Sequence, residues 1–122
     1  MADVRLALQI TVDGRPIPGF EDVLHQRRVC DEYQIFDNDQ ATNDDAPVAL
    51  PVTGISTQQV IALRIDRDIK IYTGSVDDNE FVLKAGGFIV LCGVEIPVAE
   101  QLRVENEDTA NEVRLKGIVA GT

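Results

Sequence analysis

Short apolar segments recur about every ten residues from residue 59 onward, with turn-forming residues between them, a spacing typical of β-sandwiches and barrels. Within residues 59–66 the apolar positions Ile61, Leu63 and Ile65 alternate, as expected for a strand with one face on a core. Further strands are expected at Ile69–Tyr72, Glu80–Leu83, 88–92, 102–104 and 113–119. The sequence does not alternate strands with helices, so a parallel sheet is not expected.

The segment 88–92 differs from the other strands because it is apolar without interruption. A continuous apolar run is typical of a strand buried on both faces, so we expect it at the centre of a sheet. The preceding pair Gly86-Gly87 is predicted to form a tight turn, since glycine adopts unusual backbone angles at low cost. The pair precedes a strand and not a helix, so a phosphate-binding loop is not expected.

The first half of the chain is less regular. Residues 4–12 alternate cleanly and predict one strand, which ends at the turn residues Asp13-Gly14. Residues 29–36 are predicted to form another strand, and 21–24 could open a short helix. Residues 37–51 are polar, acidic and contain two prolines, so we expect an exposed loop there.

These patterns together predict an all-β fold, a single antiparallel β-sandwich domain over residues 1–122. About eight strands are expected, and a jelly roll is one arrangement that would accommodate them.

The charge balance bears on the choice of partner. The chain has 21 acidic and 11 basic residues and a formal net charge of -10. Nucleic acids and anionic membranes are bound through Lys and Arg, so neither is an expected partner. The sequence shows no signal peptide, and no apolar run approaches the ~20 residues of a membrane-spanning helix.

Catalytic residue sets are not evident. His25 is the single histidine, and the two serines, Ser56 and Ser75, do not lie in a Gly-x-Ser-x-Gly elbow. The chain is therefore not expected to be an enzyme or to carry a cofactor. Carboxylates are plentiful, so a hydrolase that uses a pair of them remains an alternative.

The two cysteines and the acidic residues bear on a disulfide and on metal binding. Cys30 and Cys92 are expected to be small buried residues, with a disulfide as the alternative. One histidine and two separated cysteines do not supply a zinc site. Asp37-x-Asp39 resembles the start of a calcium loop, but the following residues do not continue the pattern. A cation site built from separate loops remains open, with these candidate ligands: Asp77, Asp78, Glu107 and Asp108.

A resemblance covers residues 61–122. It rests on three segments: Ala62-Leu63-Arg64-Ile65-Asp66, the run from Phe81 through Lys84-Ala85-Gly86-Gly87 to Gly93, and the closing Val119-Ala120-Gly121-Thr122. This order resembles small β-sandwich proteins encoded among the structural genes of tailed bacteriophages, some of which are capsid decoration (cement) proteins.

The resemblance implies a virion structural protein that binds the outer shell and stabilises it by bridging capsomers. It also implies a homotrimer, synthesis in the host cytoplasm, a final position on the capsid surface, and the major capsid protein or another virion protein as partner. A tail, neck or fibre-attachment component is the alternative within the same class. A carbohydrate-binding module is a further alternative, although the chain has no Trp and few other aromatic residues to form a sugar platform.

Candidate contact residues come from the irregular first half, where the sequence does not alternate. They are Phe20, Arg27, Arg28, Tyr33 and Phe36. A core role is equally open for the aromatic ones. The adjacent Arg27 and Arg28 could meet an acidic partner or simply be exposed.

Overall fold

The computed structural model describes residues 1–18, 24–40, 47–74 and 79–122. The described elements are strands apart from one short 3₁₀ turn, and every strand pair is antiparallel. The strands are β1 (Ala2–Leu8), β2 (Thr11–Val12), β3 (Arg15–Pro16), β4 (Leu24–Cys30), β5 (Glu32–Gln40), β6 (Val48–Ala49), β7 (Thr57–Ile65), β8 (Ile69–Tyr72), β9 (Glu80–Leu83), β10 (Phe88–Pro97), β11 (Arg103–Glu105) and β12 (Val113–Gly121), and the 3₁₀ turn is η1 (Val98–Glu100).

Two four-stranded sheets form the body of the protein. The large sheet has the order β10-β7-β12-β5, and the small sheet has the order β6-β11-β8-β9. The hydrophobic core contains residues of both sheets and lies between them: Phe36, Leu50, Ile55, Ile61, Leu63, Ile65, Ile69, Ile71, Leu102, Val104, Val113, Leu115 and Val119. The predicted all-β, antiparallel sandwich is therefore confirmed. The jelly-roll arrangement stays a prediction.

Strand alternation explains the core of the large sheet. Ile61, Leu63 and Ile65 of β7 are buried, and Leu115 and Val119 of β12 are buried beside them. Because side chains in a strand point alternately to opposite faces, the intervening residues of β7 and β12 point away from the small sheet. These intervening residues form the outward face of the large sheet.

Two turns predicted from glycine are present. Asp13 and Gly14 both have positive φ, 52° and 74°, and join Val12 to Arg15 across the β2–β3 hairpin. Positive φ at both central residues is the geometry of a two-residue hairpin loop that matches strand twist. Gly86 has φ 79°, in the predicted Gly86-Gly87 turn.

The first half departs from the predicted strand boundaries. The alternating segment 4–12 is divided, since β1 ends at Leu8 and β2 begins at Thr11. The predicted strand 29–36 is divided at Asp31, because β4 pairs with β1 whereas β5 pairs with β12. Asp31 is the corner between these two sheets. Residues 21–23 of the possible helix lie outside the described residues, and Leu24 already belongs to β4.

The acidic loop expected at 37–51 is shorter than predicted. Residues 37–40 complete β5, because each pairs with a residue of β12, as Asp37 does with Lys116. Toward the other end, Val48–Ala49 forms β6, and Leu50 is buried in the core. Residues 41–46 of the expected loop lie outside the described residues.

The apolar strand β10 is not central, so that prediction was wrong. It lies at the edge of the large sheet and pairs with β7. Ile89 and Leu91 pack against the core, whereas Phe88 and Val90 point outward and are 66% and 47% exposed. A strand with the composition of a doubly buried strand thus has one face open to solvent.

The β1–β4 hairpin packs on part of the outward face of the large sheet. Cys30 of β4 is buried together with Val60 of β7 and Ala120 of β12, and Val4 and Leu6 of β1 pack against this second cluster. The hairpin therefore covers one end of the outward face and leaves the rest open. Within the described ranges, no helix is long and apolar enough to cross a membrane.

Candidate protein-binding surface

Four apolar residues line up across the outward face of the large sheet. Strand register places Val90 opposite Ala62, Ala62 opposite Ile118, and Ile118 opposite Ile35. We call these four residues the apolar band. Ile35 is 74% exposed, Val90 is also exposed, and Ala62 and Ile118 are half-buried. A contiguous exposed apolar patch on a soluble protein is a mark of an interaction site.

The hairpin extends the apolar band into a groove. The next row of the sheet, which contains Val60 and Ala120, is buried beneath the hairpin. Beside the hairpin, a groove of about 440 Å³ is lined by Val4, Tyr33, Ile118 and the first residues of the chain. The outward face thus offers both a flat apolar band and an adjoining concave edge.

Two cations border the apolar band on its other side. Arg64 of β7 stands opposite Lys116 of β12 in the strand register, and both side chains are exposed. Neither forms an ion pair within the part of the chain that the structure describes. We call Arg64 and Lys116 the cationic pair. Arg114, farther along β12, is different because its guanidinium contacts the carboxylates of Asp37 and Asp39.

The small sheet differs from the large sheet because its polar side chains form ion pairs and hydrogen bonds with one another. Lys70 Nζ lies 2.8 Å from a Glu107 carboxylate oxygen and 3.6 Å from one of Glu80. The Tyr72 hydroxyl donates a hydrogen bond to Glu105. The hydrogen bond to Glu107 raises the pKa of Lys70, and that to Glu105, together with burial, raises the pKa of Tyr72. The outward face of the large sheet is therefore the better candidate for binding another molecule.

The predicted aromatic contact residues have separate positions. Tyr33 is exposed and lines the groove beside the apolar band. Phe36, only 4% exposed, belongs to the hydrophobic core, which is the other role that the sequence left open. Phe20 lies outside the described residues. Of the three, Tyr33 is the one that the structure brings to the candidate surface.

The predicted arginines lie on the β1–β4 hairpin. Arg27 stands opposite Arg5, and both guanidinium groups contact the carboxylate of Asp3. Hydrogen bonds from the two arginines lower the pKa of Asp3. Arg28 is exposed and forms no ion pair within the described ranges. Arg27 is thus already neutralised in part, whereas Arg28 can meet an acidic group.

The residues of the apolar band were not among the candidates drawn from the sequence. One signal pointed to Val90, since an uninterrupted apolar run needs two buried faces. In the structure the core covers Ile89 and Leu91 on one face of β10, and the face with Val90 is left open. Ile35 and Ile118 carried no such signal, because only the strand register shows that they are neighbours.

Both cysteines are free thiols. Cys30 is buried, as expected, and Cys92 is half-buried nearby in the same cluster. Burial is the main cause that raises the pKa of the Cys30 thiol, and the neighbouring Cys92 adds to it.

The carboxylates considered for a cation site have protein partners where they are described. Glu107 pairs with Lys70, and Asp108 accepts hydrogen bonds from the backbone N–H groups of Ala110 and Asn111. Asp77 and Asp78 lie outside the described residues. Across the described ranges, no three His, Cys, Asp or Glu side chains are grouped as metal ligands would be.

The chain was compared with known proteins in three ways. No family model matches it, and neither the curated proteins nor the solved structures contain a match.

Proposed function

We propose that this chain is a structural protein of a virus particle, most concretely a capsid decoration protein that binds the assembled shell and bridges neighbouring capsomers. The observation that carries the proposal is the apolar band, whose Val90 lies open on a strand composed for burial on both faces. Covering such a band with another protein removes apolar surface from water, the main favourable contribution to most protein association.

The resemblance to phage structural proteins supports the same surface. It covers residues 61–122, which include Ala62, Val90 and Ile118 of the apolar band. Ile35 and Tyr33, from the first half of the chain, lie at the β5 edge of the outward face. Residues 61–122, which carry the resemblance, therefore supply most of the surface, and the first half of the chain supplies its β5 edge.

Binding of this kind stabilises a shell by linkage. A protein that binds the assembled shell and not its dissociated subunits shifts the equilibrium toward assembly. An oligomer, for which the resemblance implies three copies, engages several capsomers at once and gains avidity. Stable contacts commonly bury roughly 1,200–2,000 Å² in total, which favours the apolar band together with the adjoining groove over the band alone as the contact area.

Sedimentation with stripped shells tests the proposal. Wild-type protein is mixed with shells of the virus that carries this gene, after removal of their surface proteins, and pelleted. The double variant Ile35→Asp/Val90→Asp should bind at least about tenfold more weakly, since charges placed in the contact must be desolvated. Val12→Asp is the matched control, because Val12 is exposed on β2, away from the large sheet.

Two results would overturn the proposal. Wild-type protein that pellets with tails and not with shells would identify a tail or neck component. Equal binding by wild type and Ile35→Asp/Val90→Asp would remove the apolar band from the contact.

A further inference from the structure

The two ends of β10 carry opposite charges, each beside an exposed apolar side chain. At its start, Phe88 is 66% exposed and stands opposite Arg64 of the cationic pair. At its far end, Glu95 is followed by η1, in which Val98 is 51% exposed and Glu100 is exposed. We call the first set, Arg64, Lys116 and Phe88, the cationic end, and the second, Glu95, Val98 and Glu100, the acidic end.

The charges at both ends are not engaged in salt bridges in the described part of the chain, although Lys116 acts electrostatically on the nearby Asp37. Arg64, Lys116, Glu95 and Glu100 form no ion pair within the described ranges. This sets them apart from Lys70 and Glu80 of the small sheet, which pair with each other.

Distance keeps the two ends from neutralising each other. Phe88 and Glu95 are seven residues apart on one strand, which corresponds to about 23 Å at the usual rise per residue. Exposed charges separated by more than about 8 Å are largely screened at physiological ionic strength. Asp37, which stands opposite Lys116, contacts Arg114 and forms no ion pair with Lys116 in the described ranges, so an acidic group of another molecule can approach the cationic end.

We propose that the cationic end of one copy binds the acidic end of a second copy. Phe88 and Val98 supply an apolar centre to the contact, and the four charges supply complementary flanks. β10 favours this geometry because it is an edge strand that, in the described part of the chain, pairs with β7 alone. Two copies packed antiparallel along β10 make the contact twice, and a ring of copies makes it once per junction.

The inference goes beyond the proposed function and does not depend on it. The apolar band contacts the shell in the proposed function, whereas this contact joins copies of the chain through the ends of β10. It assigns the residues that would hold an oligomer of this chain together.

Charge exchange provides the test, with molar mass measured by light scattering after size-exclusion chromatography. Wild type should form a defined oligomer that dissociates in about 0.5 M salt, where exposed charges are screened. Arg64→Glu/Lys116→Glu and Glu95→Lys/Glu100→Lys should each associate at least about tenfold more weakly, because like charges then face each other. The fourfold variant that combines both changes should regain the wild-type mass, since the two ends are again complementary.

A matched control excludes a general effect of net charge. Arg15→Glu/Arg67→Glu makes the same charge change as Arg64→Glu/Lys116→Glu at exposed sites outside both ends, and should keep the wild-type mass. Thermal unfolding of each variant verifies that it is folded.

The outcomes separate this contact from shell binding. A wild-type monomer at all concentrations, or a folded fourfold variant that stays monomeric, would overturn the inference. Ile35→Asp/Val90→Asp should keep the oligomer, so loss of shell binding in an intact oligomer concerns the apolar band alone. An oligomer that fails to bind any shell would contradict the proposed function but not the contact between copies.

Discussion

Arg64 and Lys116 stand directly opposite each other in the antiparallel pairing of β7 with β12, and both side chains are exposed. Like charges at opposite positions of a strand pair repel each other and destabilise the sheet. The repulsion is part of the isolated chain, and an acidic partner would relieve it. This position therefore links the stability of the monomer to its association.

Replacing Arg64 should stabilise the monomer while it weakens association. Arg64→Glu would place a carboxylate opposite Lys116 and raise the free energy of unfolding by roughly 0.2–1 kcal/mol. Urea denaturation at concentrations low enough for a monomer measures the change. Arg64→Gln, which removes the repulsion without adding attraction, should fall between the two. A lower free energy of unfolding for Arg64→Glu than for wild type would contradict the prediction.

Gly117 of β12 should not be replaceable by a residue with a side chain. A Cβ atom there would lie 1.9 Å from the Ala62 carbonyl oxygen and 2.9 Å from Phe36 Cζ. Gly117→Ala should therefore cost about 3 kcal/mol or prevent folding, as overpacking against backbone allows little relaxation. Gly14→Ala is the control, since nothing lies within 4 Å of its Cβ position and only its φ of 74° is unfavourable, at a cost of about 1 kcal/mol. Thermal unfolding of the two variants measures the difference, and equal losses would count against the close approach.

The core of the large sheet could be predicted from the sequence, because the large apolar residues Ile61, Leu63 and Ile65 recur at every second position. The candidate surface could not be predicted in this way. In β5 the adjacent residues Ile35 and Phe36 are both large and apolar, and a shift of one residue would exchange their faces. Pairing with β12 decides that Phe36 is inside and Ile35 outside.

The misplacement of β10 has a similar physical cause. Composition indicates how many faces of a strand need covering, but not whether the same chain covers them. In β10, Ile89 and Leu91 are covered by the core, whereas Phe88 and Val90 are not. The departure from prediction is therefore informative, since it marks where we propose that another protein completes the burial.

The two cysteines should differ in reactivity. Cys30 is buried, its Sγ lies 3.6 Å from Gln59 Oε1, and burial raises its pKa. Because the thiolate is the reactive form, folded Cys92→Ser protein, which retains Cys30, should react with a thiol reagent at least about tenfold more slowly than Cys30→Ser protein. Mass spectrometry over time at pH 8 measures both rates. The difference should vanish in urea, and equal rates in the folded proteins would contradict the burial of Cys30.

The carboxylate of Asp68 should make stability depend on pH at the acidic end of the scale. It accepts a hydrogen bond of 2.8 Å from the Ala85 N–H and lies 3.1 Å from Lys84 Nζ, and these contacts, the first most strongly, lower its pKa. A carboxylate whose pKa is lower in the folded than in the unfolded protein stabilises the fold above its unfolded pKa of about 3.9. That contribution is lost as the pH falls through the lower, folded pKa.

Asp68→Asn should therefore be less stable than wild type at pH 7, and the difference should shrink as the pH falls through the lowered folded pKa, because the wild-type carboxylate then becomes protonated. Urea denaturation at several pH values measures the difference between the two proteins. Asp13→Asn is the control, because its carboxylate forms no ion pair in the described ranges and asparagine tolerates the positive φ of that turn. A difference between Asp68→Asn and wild type that stays constant from pH 7 to pH 2 would show that the side chain acts through its shape and not through its charge.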